Sequence, residues 1–220
     1  MKISKLLAGI AVSFVAVSAF AAYPDKPLTL VVPFPPGGST DNVARAIAPK
    51  MGTSLGQNVI VDNKPGATGA IGAGFVKRAA PDGYTFMVAS IGVFAVNPFL
   101  QKNLPYDPAK DFDLLTVAVK APNVLVATPS FPANNIGEAI AYLKKNPDKV
   151  SFANSGSGSS DHLTTILFWQ KSGTSGINVP YKGGAPAITD LLGGQAELSF
   201  QNLNVVVNHV KTGKLKALAI

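Results

Sequence analysis

Short apolar runs of strand length alternate with helical periodicity along most of this chain. Residues 28–32 are all apolar or β-branched, and after a Pro/Gly-rich turn the apolar residues of segment 43–55 fall on one face of a helix. The same succession returns at residues 150–153 and 163–170. Strands that alternate with helices predict parallel sheets covered by helices, so we expect an α/β protein.

Two such series are separated by an irregular stretch. Residues 97–111 are rich in proline and turn residues, and residues 114–119 then have the pattern of a strand. We therefore predict a first lobe over residues 22–120 and a second lobe over residues 121–216, each a mostly parallel sheet flanked by helices. Residues 215–220 have the pattern of a last strand.

The N-terminal residues 1–21 have the pattern of a signal peptide. Lys2 and Lys5 precede an apolar run over residues 6–17, and Ala19 and Ala21 are the small residues that a signal peptidase reads. The run is shorter than the roughly 20 apolar residues of a membrane span, which is the alternative interpretation. We predict cleavage after Ala21 and export to the periplasm.

Composition excludes several functions. The chain has no cysteine, which excludes disulfides, thiolate metal sites and cysteine nucleophiles, and its two histidines are too far apart to bind a metal from one helix. The formal charge is +7, but no basic stripe with interleaved aromatic residues is present. We therefore expect no metal, no cofactor and no nucleic-acid partner.

Two strand–turn–helix segments carry the predicted chemistry, with turns at residues 33–41 and 154–162. The first turn of a helix has backbone N–H groups without partners, and the helix dipole adds positive charge there, so such a turn can bind an anion. Neither turn contains lysine or arginine, which favours a carboxylate held by neutral donors. We expect Gly38 to adopt a positive φ beside the anion. Each turn alone also fits an ordinary capped helix, but two of them, one in each lobe, favour a shared cleft.

Further polar side chains follow other predicted strands. Ser90 follows the third strand, and segment 181–184 with Lys182 and Gly184 follows the strand at residues 177–180. Gln201 and Asn202 follow the strand that ends at Phe200, so their amides are placed to reach a ligand. Lys182 also fits an ordinary solvated lysine. The predicted ligand-binding residues are Phe34, Gly37, Gly38, Ser39, Thr40, Asp41, Ser90, Asn154, Ser155, Gly156, Ser157, His162, Lys182 and Gln201.

Motifs of nucleotide-binding proteins and hydrolases are missing. The chain has no phosphate-binding loop with a lysine, its Gly156–Gly158 pair lacks the third glycine of a dinucleotide fingerprint, and no serine lies in a G-x-S-x-G motif. No catalytic residue is therefore predicted. A periplasmic serine hydrolase that uses His162 beside Asp161 stays open as the alternative function.

Several motifs together resemble the Bug-type receptors of tripartite tricarboxylate transporters. The resemblance extends over essentially the whole chain. The segments that carry it are residues 23–27 (YPDKP), 32–41 (VPFPPGGSTD), 62–67 (DNKPGA), 80–85 (APDGYT), 156–159 (GSGS) with His162, 179–183 (VPYKG), 190–195 (DLLGGQ) and 213–219 (GKLKALA).

The resemblance implies a two-lobed, periplasmic-binding-protein-like fold of type II that closes on its ligand. In such receptors the two loops named above hold a small organic carboxylate, often through bridging waters. Family ligands include di- and tricarboxylates, acidic amino acids and aromatic acids, and Gln201 lies at a variable position that is expected to tune this choice. The resemblance also implies a monomeric receptor, not an enzyme, whose partner is a set of membrane transporter subunits or a sensor kinase.

The resemblance also raises a question about the end of the chain. Family members continue well beyond the position of Ile220, where their chain crosses back to the first lobe, and residues 217–220 are accordingly interpreted as the start of that crossover. The resemblance thus implies that a C-terminal part is missing, and a non-functional receptor fragment is a further alternative.

Overall fold

The computed structural model of the protein describes residues 23–220, so the predicted signal peptide at residues 1–21 lies outside the described residues. Short 3-10 and π-helical turns at Ala67–Gly69 and Gly92–Val96 supplement the regular elements. In chain order the strands and helices are β1 (Leu28–Val32), α1 (Ser39–Leu55), β2 (Val59–Asn63), α2 (Ala70–Lys77), β3 (Thr85–Met87), α3 (Asn97–Leu100), β4 (Asn123–Ala127), α4 (Ile136–Lys145), β5 (Ser151–Asn154), α5 (Ser160–Ser172), β6 (Ile177–Pro180), α6 (Gly184–Leu192), β7 (Leu198–Asn202), α7 (Leu203–Lys211) and β8 (Lys216–Ala219).

The first sheet is small and entirely parallel, in the order β2-β1-β3. Its central strand β1 is buried on both faces, which explains its continuous apolar sequence. On one face Leu30 and Val32 pack against Ala44 and Ala48 of α1. The small alanine side chains allow α1 to lie close to the sheet, so the start of α1 is held at the carboxyl end of β1.

The second sheet has five strands in the order β6-β5-β7-β4-β8. Strand β5 is parallel to both of its neighbours, whereas β4 runs antiparallel to β7 and β8. Alternate residues of β4 enter different cores: Leu125 packs with Phe152 on one face, and Val124 packs with Leu191 and Val206 on the other. Helices therefore cover both faces of this sheet, as the alternating pattern predicts.

Three segments differ from the sequence-based expectations. Residues 114–119, predicted as a strand, form no strand among the described residues and are exposed, with Leu115 at 82% and Val117 at 71%. Their pattern fits a strand, but a strand also needs a hydrogen-bonding neighbour, and none lies beside them in residues 23–220. The stretch predicted as irregular begins with the helix Asn97–Leu100. Residues 216–219 form the edge strand β8 of the second sheet, as predicted for residues 215–220. These residues thus lie in the second lobe rather than in a crossover that begins at residue 217.

The topology brings the carboxyl ends of several strands together. Strands β1, β5, β6 and β7 each lead directly into a helix, namely α1, α5, α6 and α7. Two lobes are built around the two sheets, and these strand-to-helix junctions lie where the lobes meet. In the part of the chain that the structure describes, no helix combines the length and apolar character needed to cross a membrane.

Candidate ligand-binding cleft

The first ligand loop, residues 33–41, is held in shape by a buried carboxylate. Asp41, in the first turn of α1, is only 1% exposed and accepts hydrogen bonds from Gly37 N (2.8 Å), Arg45 Nε (2.9 Å) and Asn63 Nδ2 (2.9 Å). Burial by itself would raise the pKa of Asp41, but these hydrogen bonds and the Arg45 charge outweigh burial and hold the pKa below its usual value. Asp41 therefore shapes the loop from within the protein.

The first residues of α1 have backbone donors without protein partners. Among the described residues, the N–H groups of Gly38, Ser39 and Thr40 donate no hydrogen bond, and no side chain caps this end of the helix. The expectation of a positive φ at Gly38 is wrong, since its φ is −78°. Gly37, with φ of 83°, is the left-handed residue of the loop. The extended backbone of Gly38 is typical of an N-cap residue and lets the helix begin at Ser39.

The second ligand loop, residues 154–162, is folded back on itself. Asn154 Oδ1 accepts a hydrogen bond from Gly156 N at 3.1 Å, and His162 Nδ1 accepts one from Gly158 N at 3.2 Å. The positive φ values of Gly156 (119°) and Gly158 (84°) permit this tight path. Asn154 and His162 thus support the loop, and several of its N–H groups are already used inside the protein.

A second buried carboxylate lies at the start of α5. Asp161 is 4% exposed, and its Oδ2 accepts hydrogen bonds from both Ser155 N and Ser155 Oγ at 2.7 Å and from Gln201 Nε2 at 3.4 Å. It corresponds to Asp41, since each is an acidic residue in the first turn of the helix that follows a ligand loop. An acidic residue at this position is favoured by the helix dipole.

The two loops meet around a small cavity between the lobes. Its volume is about 50 Å³, far below the roughly 300–1,000 Å³ of typical ligand pockets. An organic acid of four to six carbons therefore needs the lobes to move apart before it can enter. The lining residues are Phe34, Gly38, Ser39, Thr40 and Ser90 from the first lobe, and Ser155, Ser159, Ser160, Asp161, Gly184, Gln201 and Asn202 from the second.

Helix N-termini converge on this cavity. The first residues of α1, α5 and α6 line it, as does Asn202, which directly precedes α7. The positive ends of several helix dipoles thus surround one small space. No lysine or arginine is among the lining residues, so backbone N–H groups and hydroxyls are the donors that an anion would meet.

Contacts between the lobes close the cleft on either side of the cavity. Ser39 Oγ donates a hydrogen bond to Asn204 Oδ1 at 2.9 Å across the two lobes. The backbones also approach closely, because a Cβ added at Gly183 would lie only 2.7 Å from Pro35 Cδ. The described chain is therefore in a conformation with its lobes together.

The structure divides the predicted ligand-binding residues into two groups. Those that line the cavity are Phe34, Gly38, Ser39, Thr40, Ser90, Ser155 and Gln201. Those that do not line it are Gly37, Asp41, Asn154, Gly156, Ser157, His162 and Lys182. Ser157 and Lys182 are exposed outside the cavity, and the other five form hydrogen bonds within the loops.

The other lining residues are Ser159, Ser160, Asp161, Gly184 and Asn202, of which sequence reasoning missed the first three as cleft residues. The signal for Asp161 was present, because it lies in the first turn of α5, but it was interpreted only beside His162. Asn202 is the last residue of β7, and Gly184 begins α6 after the turn that follows β6. Both were expected in the cleft, because ligands bind beyond the carboxyl ends of the strands.

The geometry does not assemble the catalytic groups of the alternative hydrolase. Among residues 23–220, no serine hydroxyl donates to His162, whose Nδ1 instead accepts from Gly158 N. Ser155 Oγ donates directly to Asp161, so histidine does not stand between them as it does in a Ser-His-Asp triad. Within the same residues, no group of three or more acidic or histidine side chains is placed to hold a metal ion.

Comparisons with known proteins agree with this architecture. The family described as "Tripartite tricarboxylate transporter family receptor" matches residues 43–220. A relative, protein BugT of Bordetella pertussis, is 39% identical over an alignment that covers 100% of this chain and 69% of BugT. Among solved structures, R. palustris Rpa4515 with adipate is 37% identical with a TM-score of 0.87, and the alignment covers 90% of this chain and 66% of that one. MatC from Rhodopseudomonas palustris with bound malate is 33% identical with a TM-score of 0.81, over 89% of this chain and 66% of MatC.

These similarities extend over both lobes, and the chain spans about two thirds of the length of the relatives it matches. The fold is that of a two-lobed periplasmic binding protein, mixed α/β with parallel strands in both sheets. The match to the family is independent of any single motif, since it begins inside α1 and continues to Ile220. The chain belongs to the receptor family of the tripartite tricarboxylate transporters.

Proposed function

We propose that the protein is a receptor that captures a small organic carboxylate in the cleft between its lobes. One observation carries this proposal: helix N-termini from both lobes converge on a single cavity whose hydrogen-bond donors are all neutral. The unpaired N–H groups of Gly38, Ser39 and Thr40 provide a place for the carboxylate. The solved relatives that hold adipate and malate support the same ligand class.

Capture follows from the two-lobed architecture. An open form would let the ligand reach the first-lobe donors, and closure would then bring the second-lobe residues against it. The ligand favours the closed form because only that form contacts it from both sides. Neutral donors suit reversible capture, since they attract an anion less strongly than a buried guanidinium would.

The closed receptor would deliver its ligand to a partner at the membrane. The family suggests the membrane subunits of a tripartite transporter, and a sensor kinase is the other candidate. We infer a periplasmic location from the family and from the predicted signal peptide at residues 1–21. We also expect the receptor to act as a monomer and to require no cofactor.

Calorimetric titration of the full chain with adipate, malate and adipamide tests the ligand class. Adipamide matches adipate in length but lacks the negative charges. The proposal expects saturable binding of at least one of the two acids and none of the diamide. Absence of binding to both acids, or equal binding of adipate and adipamide, would overturn it.

A pair of variants at Ser39 tests the backbone donor itself. Ser39→Pro removes the N–H at the first helical position, where proline is tolerated, and the extended Gly38 is compatible with a following proline. Ser39→Ala is the matched control, because it loses the same hydroxyl but keeps the N–H. Carboxylate affinity should be about tenfold lower in the proline variant than in the alanine variant, as expected for one hydrogen bond to a charged group.

A further inference from the structure

We propose that Asp161 and Gln201 form a hydrogen-bond acceptor subsite, which selects carboxylates that also carry a donor group, either a hydroxyl or an ammonium. This inference rests on the proposed function, because it names the class of ligand for the same cleft. Both side chains line the cavity from the second lobe, and both are nearly inaccessible to solvent, with Gln201 at 2% and Asp161 at 4%.

The orientation of the Gln201 amide is fixed by its neighbours. Ser199 Oγ lies 2.6 Å from Ala153 O, which can only accept, so the Ser199 hydroxyl donates its hydrogen to that carbonyl. Ser199 Oγ is therefore an acceptor toward Gln201, whose Nε2 lies 2.9 Å away. The same Nε2 faces the Asp161 carboxylate at 3.4 Å. Reversing the amide would place its oxygen against two acceptors, so the NH₂ group must face them.

This orientation leaves the Gln201 carbonyl directed at the cavity. Gln201 Oε1 lies on the side of Gly184, where an added Cβ would be 3.4 Å from it. Among the hydrogen bonds of residues 23–220, none ends on Oε1. The oxygen is not among the described polar atoms that are fully enclosed without a partner, so it remains accessible from the cavity.

Asp161 contributes a second acceptor. Its Oδ2 receives the three hydrogen bonds from Ser155 and Gln201, whereas none of the hydrogen bonds in the described chain ends on Oδ1. Oδ1 likewise remains accessible. An accessible carboxylate oxygen and an amide oxygen thus lie together on the second-lobe side of the cleft.

The two sides of the cleft therefore differ in chemistry. The first lobe presents N–H donors at Gly38, Ser39 and Thr40, which suit a carboxylate. The second lobe presents two acceptors, one of them within a carboxylate, which suit a hydroxyl or ammonium and repel another carboxylate. A ligand with only carboxylates would leave both acceptors without a donor when the lobes close, and unpaired buried polar groups are costly.

Matched ligand pairs test the subsite on the full chain. Each pair has the same carbon chain with and without a hydroxyl: succinate and malate, glutarate and 2-hydroxyglutarate, adipate and 2-hydroxyadipate. Aspartate and glutamate supply the ammonium equivalents. Calorimetry should show the donor-bearing member of the best-binding length to be about tenfold tighter than its plain counterpart.

The variant Gln201→Met tests the residue assignment. Methionine has a similar length but no acceptor amide, so the preference for the donor-bearing acid should shrink. Gln195→Met is the matched control, because it makes the same change at an exposed residue of the second lobe outside the cleft. The control should keep the full preference.

The outcomes separate this inference from the proposed function. Equal affinity for plain and donor-bearing acids of every length overturns the acceptor subsite while the carboxylate receptor stands. A preference that persists in Gln201→Met removes Gln201 from the subsite. Failure of all these acids to bind contradicts the proposed function together with the inference. The ligand-pair comparison needs no variant, so it stays decisive even if Gln201→Met does not fold.

Discussion

Ser39 and Asn204 join the two lobes through their side chains. Ser39 begins α1 beside the cavity, and its Oγ donates to Asn204 Oδ1 at 2.9 Å, while Asn204 Nδ2 lies 3.5 Å from Ser39 O. The two residues are separated by 165 positions in sequence. Their hydrogen bond exists only when the lobes are together, so it stabilises the conformation that would retain a ligand.

Asn204→Ala should weaken ligand binding with little effect on folding. The side chain is exposed, so its loss removes one inter-lobe hydrogen bond, which contributes about 0.5–1.5 kcal/mol to the closed form. Carboxylate affinity should fall by about two- to tenfold in calorimetry, with an unchanged thermal midpoint for the unliganded chain. Asn208→Ala, an exposed position on the same helix α7, is the control. Equal effects of the two changes would show that the hydrogen bond does not contribute to closure.

Gly183→Ala should prevent full closure of the lobes. The added Cβ would lie 2.7 Å from Pro35 Cδ, in a ring that cannot rotate away, and Gly183 has a φ of 127°. Gly194→Ala is the control, since Gly194 also has a positive φ, 71°, but an added Cβ meets nothing within 4 Å. Backbone strain should lower folding stability by about 1–2 kcal/mol in Gly194→Ala and by about 1–3 kcal/mol in Gly183→Ala, since the φ of 127° and ψ of 172° at Gly183 are readily adopted only by glycine. Only Gly183→Ala should lose carboxylate affinity, by more than about tenfold, and small-angle scattering should show it to be more extended.

A feature of the fold could be predicted from the sequence where local interactions determine it, and could not where contacts between distant residues do. Strand β1 was predictable, because burial on both faces gives it a continuous apolar run, and helix α1 was predictable from the helical spacing of its apolar residues. The antiparallel direction of β4 was not predictable from its sequence. Its side chains would alternate between the two cores whichever way the strand ran. Residues 114–119 have the sequence pattern of a strand but no neighbouring strand to pair with in the described chain. The absence of a pairing partner cannot be predicted from the pattern of one segment.

The ligand-binding site likewise has features that the local sequence predicts and others that only long-range contacts reveal. The first-turn donors of α1 follow from local sequence, because prolines cannot donate and glycine, serine and threonine can. The roles of Asp41 and Asp161 do not follow from local sequence, since an acidic residue in the first turn of a helix can face a ligand, a loop or solvent. Only the contacts reveal that Asp41 bonds its own loop and that Asp161 keeps one oxygen accessible.

Asp41→Asn should destabilise the fold in a manner that depends on pH. The carboxylate accepts three hydrogen bonds inside the protein, so its replacement should cost about 1–3 kcal/mol at neutral pH. The pKa of Asp41 in the folded chain is held below its ordinary value of 3.8. A depressed pKa stabilises the fold above pH 3.8, and this contribution is lost as the pH falls from there through the folded value.

Urea unfolding of wild type and Asp41→Asn across this range measures the effect. The difference in unfolding free energy between wild type and Asp41→Asn should have its full size at neutral pH and should shrink below pH 3.8. Asp113→Asn, at an exposed aspartate without hydrogen bonds in the described chain, should show no such difference. A difference between wild type and Asp41→Asn that stayed constant down to the acid limit would contradict the role of the ionised carboxylate.

His162→Ala distinguishes a loop-supporting histidine from a catalytic one. His162 Nδ1 accepts the Gly158 N–H, so its removal should leave that donor without a partner and loosen the second ligand loop. We expect a loss of about 1 kcal/mol in stability and a several-fold loss in carboxylate affinity, with His209→Ala as the control at the other histidine. Neither the wild type nor either variant should hydrolyse a p-nitrophenyl ester above background. Ester turnover by the wild type above background would contradict the receptor role, and its loss in His162→Ala but not in His209→Ala would place that turnover in the second ligand loop.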